Sequence, residues 1–452
     1  MRNLLEISKS GLRAAERSLS VTANNIINAD TPGYTRQRIE KSPEGMQMAG
    51  YNTGLGVNVD GITRLRNEMN DVLMNQKQQD MSYLQGKANV FEQLEAVMVT
   101  DSGNDLDLNI SRLLDGFSEL SSNPQDVSVR NSLLSNAQQL TEKFKDIDRN
   151  LERVSELTQD SVVKTIDNIN GILKEIHSLN QSIEQGEGAR QPDNASLDKR
   201  VAKLDELSQL VDFESQMNDN GGVQIRIEGV SVLNSKGAQT LKPEIDQINK
   251  QFLLRAESGK TIDPSGGKLG AELEMYTDKI SGISDQLNEL ASSMVQEVNN
   301  IHRTGSGLND DTSRNFFDPS GTDAASIKVN AALLLDADNI AASSGVGEAG
   351  NGDVAAQIAE LRNEKTVDGR KFSDFAIGLI SEPGSELSGL RSQIDAREAE
   401  INMLKTQQER EAGVNIDEEL SLMIQYQNAY QGAAKVMSAT QTMYDTLINI
   451  VR

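Results

Sequence analysis

The sequence predicts a mainly α protein: a long helical rod domain, terminal coiled-coil helices drawn from both chain ends, and a small β-rich insert domain. Three observations predict it. Heptads of apolar residues lie at the two extreme ends of the 452 residues. A seam of alternating threes and fours runs for roughly sixty residues through the middle. Between Phe213 and Gly267 the apolar period changes to two. Composition agrees. Charged residues are 25% and aromatics only 4%, with no tryptophan, which is thin for a compact globule and suits helices with narrow seams and wet outer faces. The length exceeds one ordinary core and implies about two or three domains.

The N-terminal heptad is Leu5, Leu12, Leu19 and Ile26, interleaved with small Ser8, Ala15, Thr22 and Ala29. Leucine alternating with small residues permits close helix approach. The helix should stop at Asp30-Thr31-Pro32-Gly33, where the proline pushes Thr31 toward extended geometry. Leu55, Val57, Val59 and Ile62 beside Gly54, Gly56 and Gly61 then suggest a short hairpin. Segment 1–66 is thus an axial helix followed by a hairpin or loop.

The rod begins in 67–212. A helical pattern runs from Met69 to Met98, breaks at Asp101–Asp105, and resumes from Leu106 to Leu120. The longest element starts near Asp126, with the seam Leu133, Ala137, Leu140, Phe144, Ile147, Leu151, Val154, Thr158, Val162, Ile166, Ile169, Leu173, Ile176, Asn180, Ile183. Consecutive fours around Thr158 are a stutter, which unwinds a supercoil locally without ending the helix. Such a helix reaches ~90 Å, which a compact enzyme rarely needs. A loop is expected over Gly186–Asn194 and a helix from Ala195 to Leu210.

Segment 213–270 reads as the β-rich insert, on Val223, Ile225, Ile227, Val230, Val232, Phe252 and Leu254. The rod returns in 271–412, through Tyr276, Ile280, Ile283, Leu287, Leu290, Met294, Val298 and Ile301. The Gly/Asp/Ser-rich region 304–352 reads as mostly loop. Leu387, Leu390, Ile394, Ile401 and Leu404 mark a further helix. In 413–452, Met423, Tyr430, Met437, Tyr444 and Val451 keep a strict heptad, with Tyr426, Ala433, Thr440 and Leu447 at the second position. A narrow stripe also suits a helix pair inside one subunit. Its presence at both ends favours pairing of the ends with each other, with neighbours, or with both.

The net charge of −24 argues against nucleic acid and anionic membrane as partners. The acidity is uneven: Arg13, Arg17, Arg36 and Arg38 lie near the start, Asp417, Glu418 and Glu419 near the end, so the ends are mildly complementary. There is no cysteine, which excludes disulfides and thiolate chemistry. No cleavable signal peptide and no apolar run of ~20 residues is visible. His177 sits beside the long seam, and His302 at a helix end where a cation would favour the dipole; both read as structural. Gly345–Gly350 matches GxGxxG without a strand–helix frame and reads as a flexible loop. Asp310-Asp311 lacks Ca²⁺-loop spacing, and Asp417-Glu418-Glu419 opens a helix where acids favour the dipole. No catalytic residue, cofactor or metal ligand is expected.

Ser20-Val21-Thr22-Ala23-Asn24-Asn25-Ile26-Ile27-Asn28-Ala29-Asp30-Thr31-Pro32-Gly33-Tyr34 resembles the N-terminal signature of the flagellar rod, hook and hook-associated axial proteins, approximately ANNIANxxTPGY. Ile27 stands where alanine is usual. Thr35-Arg36-Gln37 resembles the hook-associated members rather than hook protein. Gly413–Leu420, Gln425–Tyr430 and Ala433–Val436 are similar to the same family's terminal helix. Region 304–352 looks short beside longer members.

The resemblance implies a non-enzymatic structural subunit at the hook–filament junction, needed for flagellum assembly and motility and adapting hook to filament. It implies export through the flagellar type III apparatus without cleavage, to an extracellular place in the flagellum. Expected partners are further copies in a helical layer, hook protein, the second junction protein and an export chaperone. Leu5, Leu12, Leu19, Asn24, Asn25, Ile26, Asn28, Met423, Tyr426, Tyr430, Met437 and Tyr444 would form the axial assembly interface. Thr31, Pro32, Gly33 and Tyr34 form the signature turn. Tyr430, Met437 and Tyr444 are the candidate chaperone stripe. Asn24, Asn25 and Asn28 are expected to serve assembly more than the subunit's own stability. The rival readings are another axial subunit (hook protein or the second junction protein), or a secreted coiled-coil binding protein or adhesin.

Overall fold

A computed structural model gives the fold and describes every residue except 1, 32, 49–50, 99–104, 189–192, 247–250, 309–312 and 452. Pro32, most of the expected break at Asp101–Asp105, the central part of the expected 186–194 loop and Asp310-Asp311 therefore lie outside the described residues. Helix α1 (Arg2–Ile27) ends where expected, and Gly33 takes φ +79° in the turn that follows. Strands β1 (Gln37–Met48) and β2 (Tyr51–Arg64) pair antiparallel, from Gln37↔Arg64 to Met48↔Tyr51. The hairpin is longer than the short one read from sequence. Polar β1 has no alternation to reveal it; its support comes from α1. Gly56, at φ +125°, lies so close to α1 that a Cβ there would fall 2.0 Å from the Ser10 Oγ, and the Val57 amide donates to that oxygen at 3.3 Å. Only glycine fits such a contact.

The rod is built from α2 (Glu68–Met98), α4 (Val127–Gly188), α5 (Asn194–Leu210) and α10 (Phe372–Ala412). The 62 residues of α4 span ~93 Å. Helices α2 and α10 run antiparallel, with Lys77–Glu400 at 3.1 Å and Glu92–Arg391 at 2.8 Å along their edges. Such half-exposed pairs add little stability, roughly 0–1 kcal/mol each. The work is done by apolar burial.

At one end of the rod, α3 (Leu106–Ser122), α7 (Ser281–His302) and α9 (Asp353–Glu360) pack with α2, α4 and α10 around Leu94, Ile110, Phe117, Phe144, Phe316 and Phe375. The region 304–352 is mostly irregular, as read from the sequence, apart from α8 (Ala331–Leu335) and one 3₁₀ turn. It is nevertheless core rather than a peripheral loop: Phe316, Phe317, Ile327, Leu333 and Ile340 are 0% exposed. An aperiodic segment can be buried because side chains satisfy its backbone. The Asn299 amide accepts from the Phe317 N–H at 2.9 Å and donates to its carbonyl at 3.0 Å. The buried Arg130 guanidinium donates to the carbonyls of Pro124 and Ile340, each at 2.7 Å. The Gly345–Gly350 run is a turn fastened by the Ser343 hydroxyl, which receives the Gly345 N–H at 3.0 Å.

Strands β3 (Glu214–Met217), β4 (Val223–Ile227), β5 (Val230–Asn234) and β6 (Gly237–Ala238) form one antiparallel meander. A second contains β7 (Leu241–Asp246), β8 (Gln251–Ala256) and β9 (Thr261–Ile262). Both pack on the C-terminal half of α4. Asn170 and Asn180 each grip a strand from that helix: each amide donates to and accepts from one backbone unit, Leu241 and Val223 respectively, at 2.8–3.1 Å. Helix α6 (Gly267–Glu274) leads through a π-helical turn, Met275–Ile280, into α7.

His302 is not the helix-end cation read from the sequence. Its ring is fully buried; Nδ1 faces the Arg314 carbonyl at 2.7 Å and Nε2 accepts from the Ala341 N–H at 2.9 Å. That geometry requires the neutral ring. Burial, with the Arg130 charge, lowers its pKa from 6.5 to about 4 despite the opposing bond to Arg314. The unfolded chain therefore takes up a proton near pH 6.5 that the folded chain refuses until about pH 4. Stability from this group is complete above pH 6.5 and falls between 6.5 and 4, by on the order of 3 kcal/mol. The Asp205 carboxyl, pushed up to about 6 by burial, runs the other way over the same window, so the readout is the difference between parent and His302→Gln urea melts, and that difference should carry the fall.

Candidate functional site

The two chain ends meet. Helix α11 (Ile416–Val451) lies antiparallel along α1, with Glu419 beside Asn25 and the Ala433 methyl 3.6 Å from where a Cβ on Gly11 would stand. The residues of α1 that become buried are mostly small or polar: Ser8, Ala14, Ala15, Ser18, Thr22 and Asn25, with Val21 among them. Ser8 and Ser18 turn their hydroxyls back to the carbonyls of Leu4 and Ala14, both at 2.7 Å, so neither needs a partner across the interface. Leu5, Leu12, Leu19 and Ile26, read as the seam, are only half-buried. The contact runs through the small positions because these let the helix axes come close, and the leucines are left on its edges.

On α11 the stripe is likewise divided. Thr440 is buried and Met423, Tyr426, Ala433 and Met437 are half-buried, while Tyr430 and Tyr444 each remain 42% exposed. Leu420, Ile424, Met443 and Leu447 are also exposed. The pair therefore covers one face and leaves apolar surface on both helices.

Below the pair, a polar network ties it to the rod. Asn25, 1% exposed, is its hub. Its carbonyl oxygen accepts from the Tyr34 hydroxyl at 2.8 Å and the Gln37 N–H at 3.0 Å. Its NH₂ donates to the Gln37 carbonyl at 3.0 Å and the Glu419 carboxylate at 3.2 Å. The Arg36 guanidinium spans Glu419 at 2.7 Å and Glu418 at 3.0 Å, and the Arg36 N–H reaches the last carbonyl of α10, on Ala412, at 3.3 Å. Thr35 donates to Asp198 of α5 at 2.9 Å, and Arg64 at the hairpin base meets the same carboxylate at 3.0 Å. Arg66 pairs with Asp71, which also accepts from Gln408 of α10 at 2.9 Å. Burial first, then the charges of Asp198 and Glu419, push the Tyr34 phenol up to about 12, so it remains a donor. Farther along, the Lys41 ammonium sits 4.7 Å over the Tyr426 ring.

The signature asparagines thus divide. Asn24 is exposed, and Asn28 bonds back to it at 2.9 Å; only Asn25 is built into the subunit's own frame. Sequence reading took Glu418 and Glu419 for helix-dipole residues and gave Arg36 no specific partner. The charge complementarity of the two ends was the available signal. Arg64, Asp71 and Asp198 carried none. Among the described residues no three His, Asp or Glu gather as a metal site, and no helix is long and apolar enough to cross a membrane.

Comparison with known proteins places this arrangement. The family profile described as the flagellar hook-associated protein FlgK helical domain matches residues 91–317, half of the chain. The chain belongs to the flagellar hook-associated protein FlgK family. Two further flagellar families match the ends: the basal body rod protein over residues 5–35 and the C-terminal region of the rod FlgEFG proteins over 407–450. These two stretches take in most of the α1–α11 pair and, of the junction at its base, Asn25, Tyr34, Thr35, Glu418 and Glu419. The chain is 27% identical to flagellar hook-associated protein 1 of Bacillus subtilis, over 98% of this chain and 97% of that one. It is 24% identical to flagellar hook-associated protein 1 of Escherichia coli over the whole of both. The fold is similar to that of the flagellar hook junction protein FlgK from Burkholderia pseudomallei, with a TM-score of 0.66 and 13% identity, over 75% of this chain and 99% of that one. The signature Asn24–Tyr34 and Thr35-Arg36-Gln37 pointed to the same FlgK-type membership.

Removing the Asn25 amide would take a partner from the buried Glu419 carboxylate and from the half-buried Tyr34 hydroxyl and Gln37 backbone. Asn25→Ala should cost about 2–4 kcal/mol at the junction, whereas Asn24→Ala and Asn28→Ala should each stay within about 0.5 kcal/mol. Hydrogen exchange should report the difference as faster exchange in 15–30 and 416–430 for Asn25→Ala alone, with the rod unchanged.

Proposed function

We propose that this FlgK-family protein is a non-catalytic structural subunit at the hook–filament junction, where it adapts hook to filament. One observation carries the reading. The terminal helix pair is locked to the rod by a buried polar network, yet Leu4, Leu420, Leu447, Tyr430 and Tyr444 stay uncovered. A face held in place and left apolar is built to be completed by neighbours. Those neighbours would be further copies in a helical layer, hook protein on one side and the second junction protein on the other. Export would use the flagellar type III route without cleavage, to the outside of the cell. Labelled antibody on isolated flagella should mark one narrow band at the distal end of the hook. Label along the whole hook would favour a hook-protein role instead. A deletion strain that still grows normal filaments would overturn the reading.

Before export the same stripe needs cover, and a small chaperone accepting an amphipathic helix in a groove would supply it. Met437, half-covered by α1, is a compromised probe; Tyr430 and Tyr444 are the open ones. The double variant Tyr430→Asp, Tyr444→Asp should weaken chaperone binding by at least roughly tenfold, since each desolvated carboxylate costs about 1 kcal/mol or more. Its melting temperature should stay at the parent value. Titration calorimetry and thermal melting, run together, check both halves.

A further inference from the structure

The rod does not have one core. Side chains of α4 up to Val154 pack into the cluster around α3 and α7, the head. From Val162 onward they pack into a second cluster with α5, α6 and the strands, the lower body. Between the two lies a polar belt. Thr158, 3% exposed, returns its hydroxyl to the Val154 carbonyl at 2.8 Å. One turn on, the Ser161 and Thr165 hydroxyls both donate to the Glu272 carboxylate on α6, the latter at 3.0 Å. Lys268 approaches the same carboxylate at 3.5 Å. On the α2 side of α6, Glu274 accepts from the Tyr83 hydroxyl and from Lys87 at 2.9 Å.

Three further features fall at this level. The stutter in the α4 seam is centred on Thr158. The π-helical turn Met275–Ile280 follows Glu274 directly, and it straddles the divide: Met275 and Ile280 belong to the head cluster, Tyr276 to the lower one. A cleft of about 500 Å³ opens beside the belt, between Gly86, Val90, Leu157, Ser161, Lys268 and Glu272.

An apolar interface resists bending, because any gap removes contacts that nothing replaces. A carboxylate among hydroxyls and an ammonium resists far less, since its lone pairs accept over a wide range of directions and water can enter the cleft. Helices α2 and α4 pass through the belt unbroken, and long helices bend with modest stiffness. We propose that the belt is a flexure joint: head and lower body are two rigid units that tilt against each other at the level of Thr158 and Glu272. Its use, letting one subunit fit unequal neighbours around a curved layer, rests on the junction role; the joint itself does not.

The chain has no cysteine, so paired spin labels can be placed on the full-length protein without removing any native thiol. Labels at Glu119→Cys and Glu257→Cys report across the belt. Glu119→Cys with Glu289→Cys reports within the head, and Lys174→Cys with Glu257→Cys within the lower body. All four positions are exposed. The cross-belt distance distribution should be broader than both controls. It should narrow to the control width in Ser161→Ala, Thr165→Val, Glu272→Leu, which makes the belt apolar. A cross-belt distribution as narrow as the controls in the parent protein overturns the proposal, whether or not the triple variant folds. A joint found in a protein that does not locate to the hook end would instead retain the flexure and remove its use.

Discussion

The arrangement of the whole molecule turns on one buried contact, where the Asn25 amide and the Arg36 guanidinium converge on Glu419. The two ends of the chain have little else to hold them. The buried α1 side of their interface is mostly serine, alanine and threonine beside Val21, whose burial contributes little in sum, while each ordered residue costs roughly 1–2 kcal/mol of backbone entropy. A seam this thin cannot also fix the direction in which the pair leaves the rod. The polar network does, because the planar Asn25 amide and Arg36 guanidinium donate in fixed directions, unlike the rotatable hydroxyls around Glu272 beside their open cleft. Through Arg36 N–H to Ala412, Thr35 to Asp198 and Gln408 to Asp71, it joins α1, the hairpin base, α5, α2 and α10 at one level. Removing one member leaves the others desolvated and unpaired, which makes the junction more costly to break than its bond count suggests.

The same device recurs wherever irregular or β structure meets the rod. Asn170, Asn180 and Asn299 each present a side-chain amide that donates to the C=O and accepts from the N–H of one residue in a neighbouring segment. Away from its ends a helix reaches the backbone of another element through side chains, since its own N–H and C=O groups are spent internally. With these clamps, small meanders and an aperiodic loop are seated on helices without an extended sheet.

How much of this was legible follows from what periodicity records. The α4 seam from Leu133 to Ile183 is buried residue for residue, because a helical period sustained over so many turns leaves one face to cover. The β insert announced itself by a change of period. The α1 interface did not, because a face of small residues and a face of leucines share one heptad, and the pattern does not say which is covered. The packed role of 304–352 has no period to detect. The π turn inserts its residue without disturbing the four-residue step from Tyr276 to Ile280. Arg64, Asp71 and Asp198 are charges among many in a chain that is a quarter charged, and only the fold brings them together.

Placement of the leucines inverts what a solitary coiled coil would show. A self-sufficient pair buries its large residues and exposes the small; α1 buries Ala14, Ala15 and Ser18 and leaves Leu12 and Leu19 half open. The large residues are thus withheld from the interface within the subunit, where they would have stabilised it most. Such a sequence makes the ends less stable within the subunit than they could be and leaves more apolar area open on both helices. Large anchors gathered on one face would make each end a strong association site by itself. Half-covered leucines and two open tyrosines instead scatter apolar area over the pair, and such area contributes most where several surfaces close around it together.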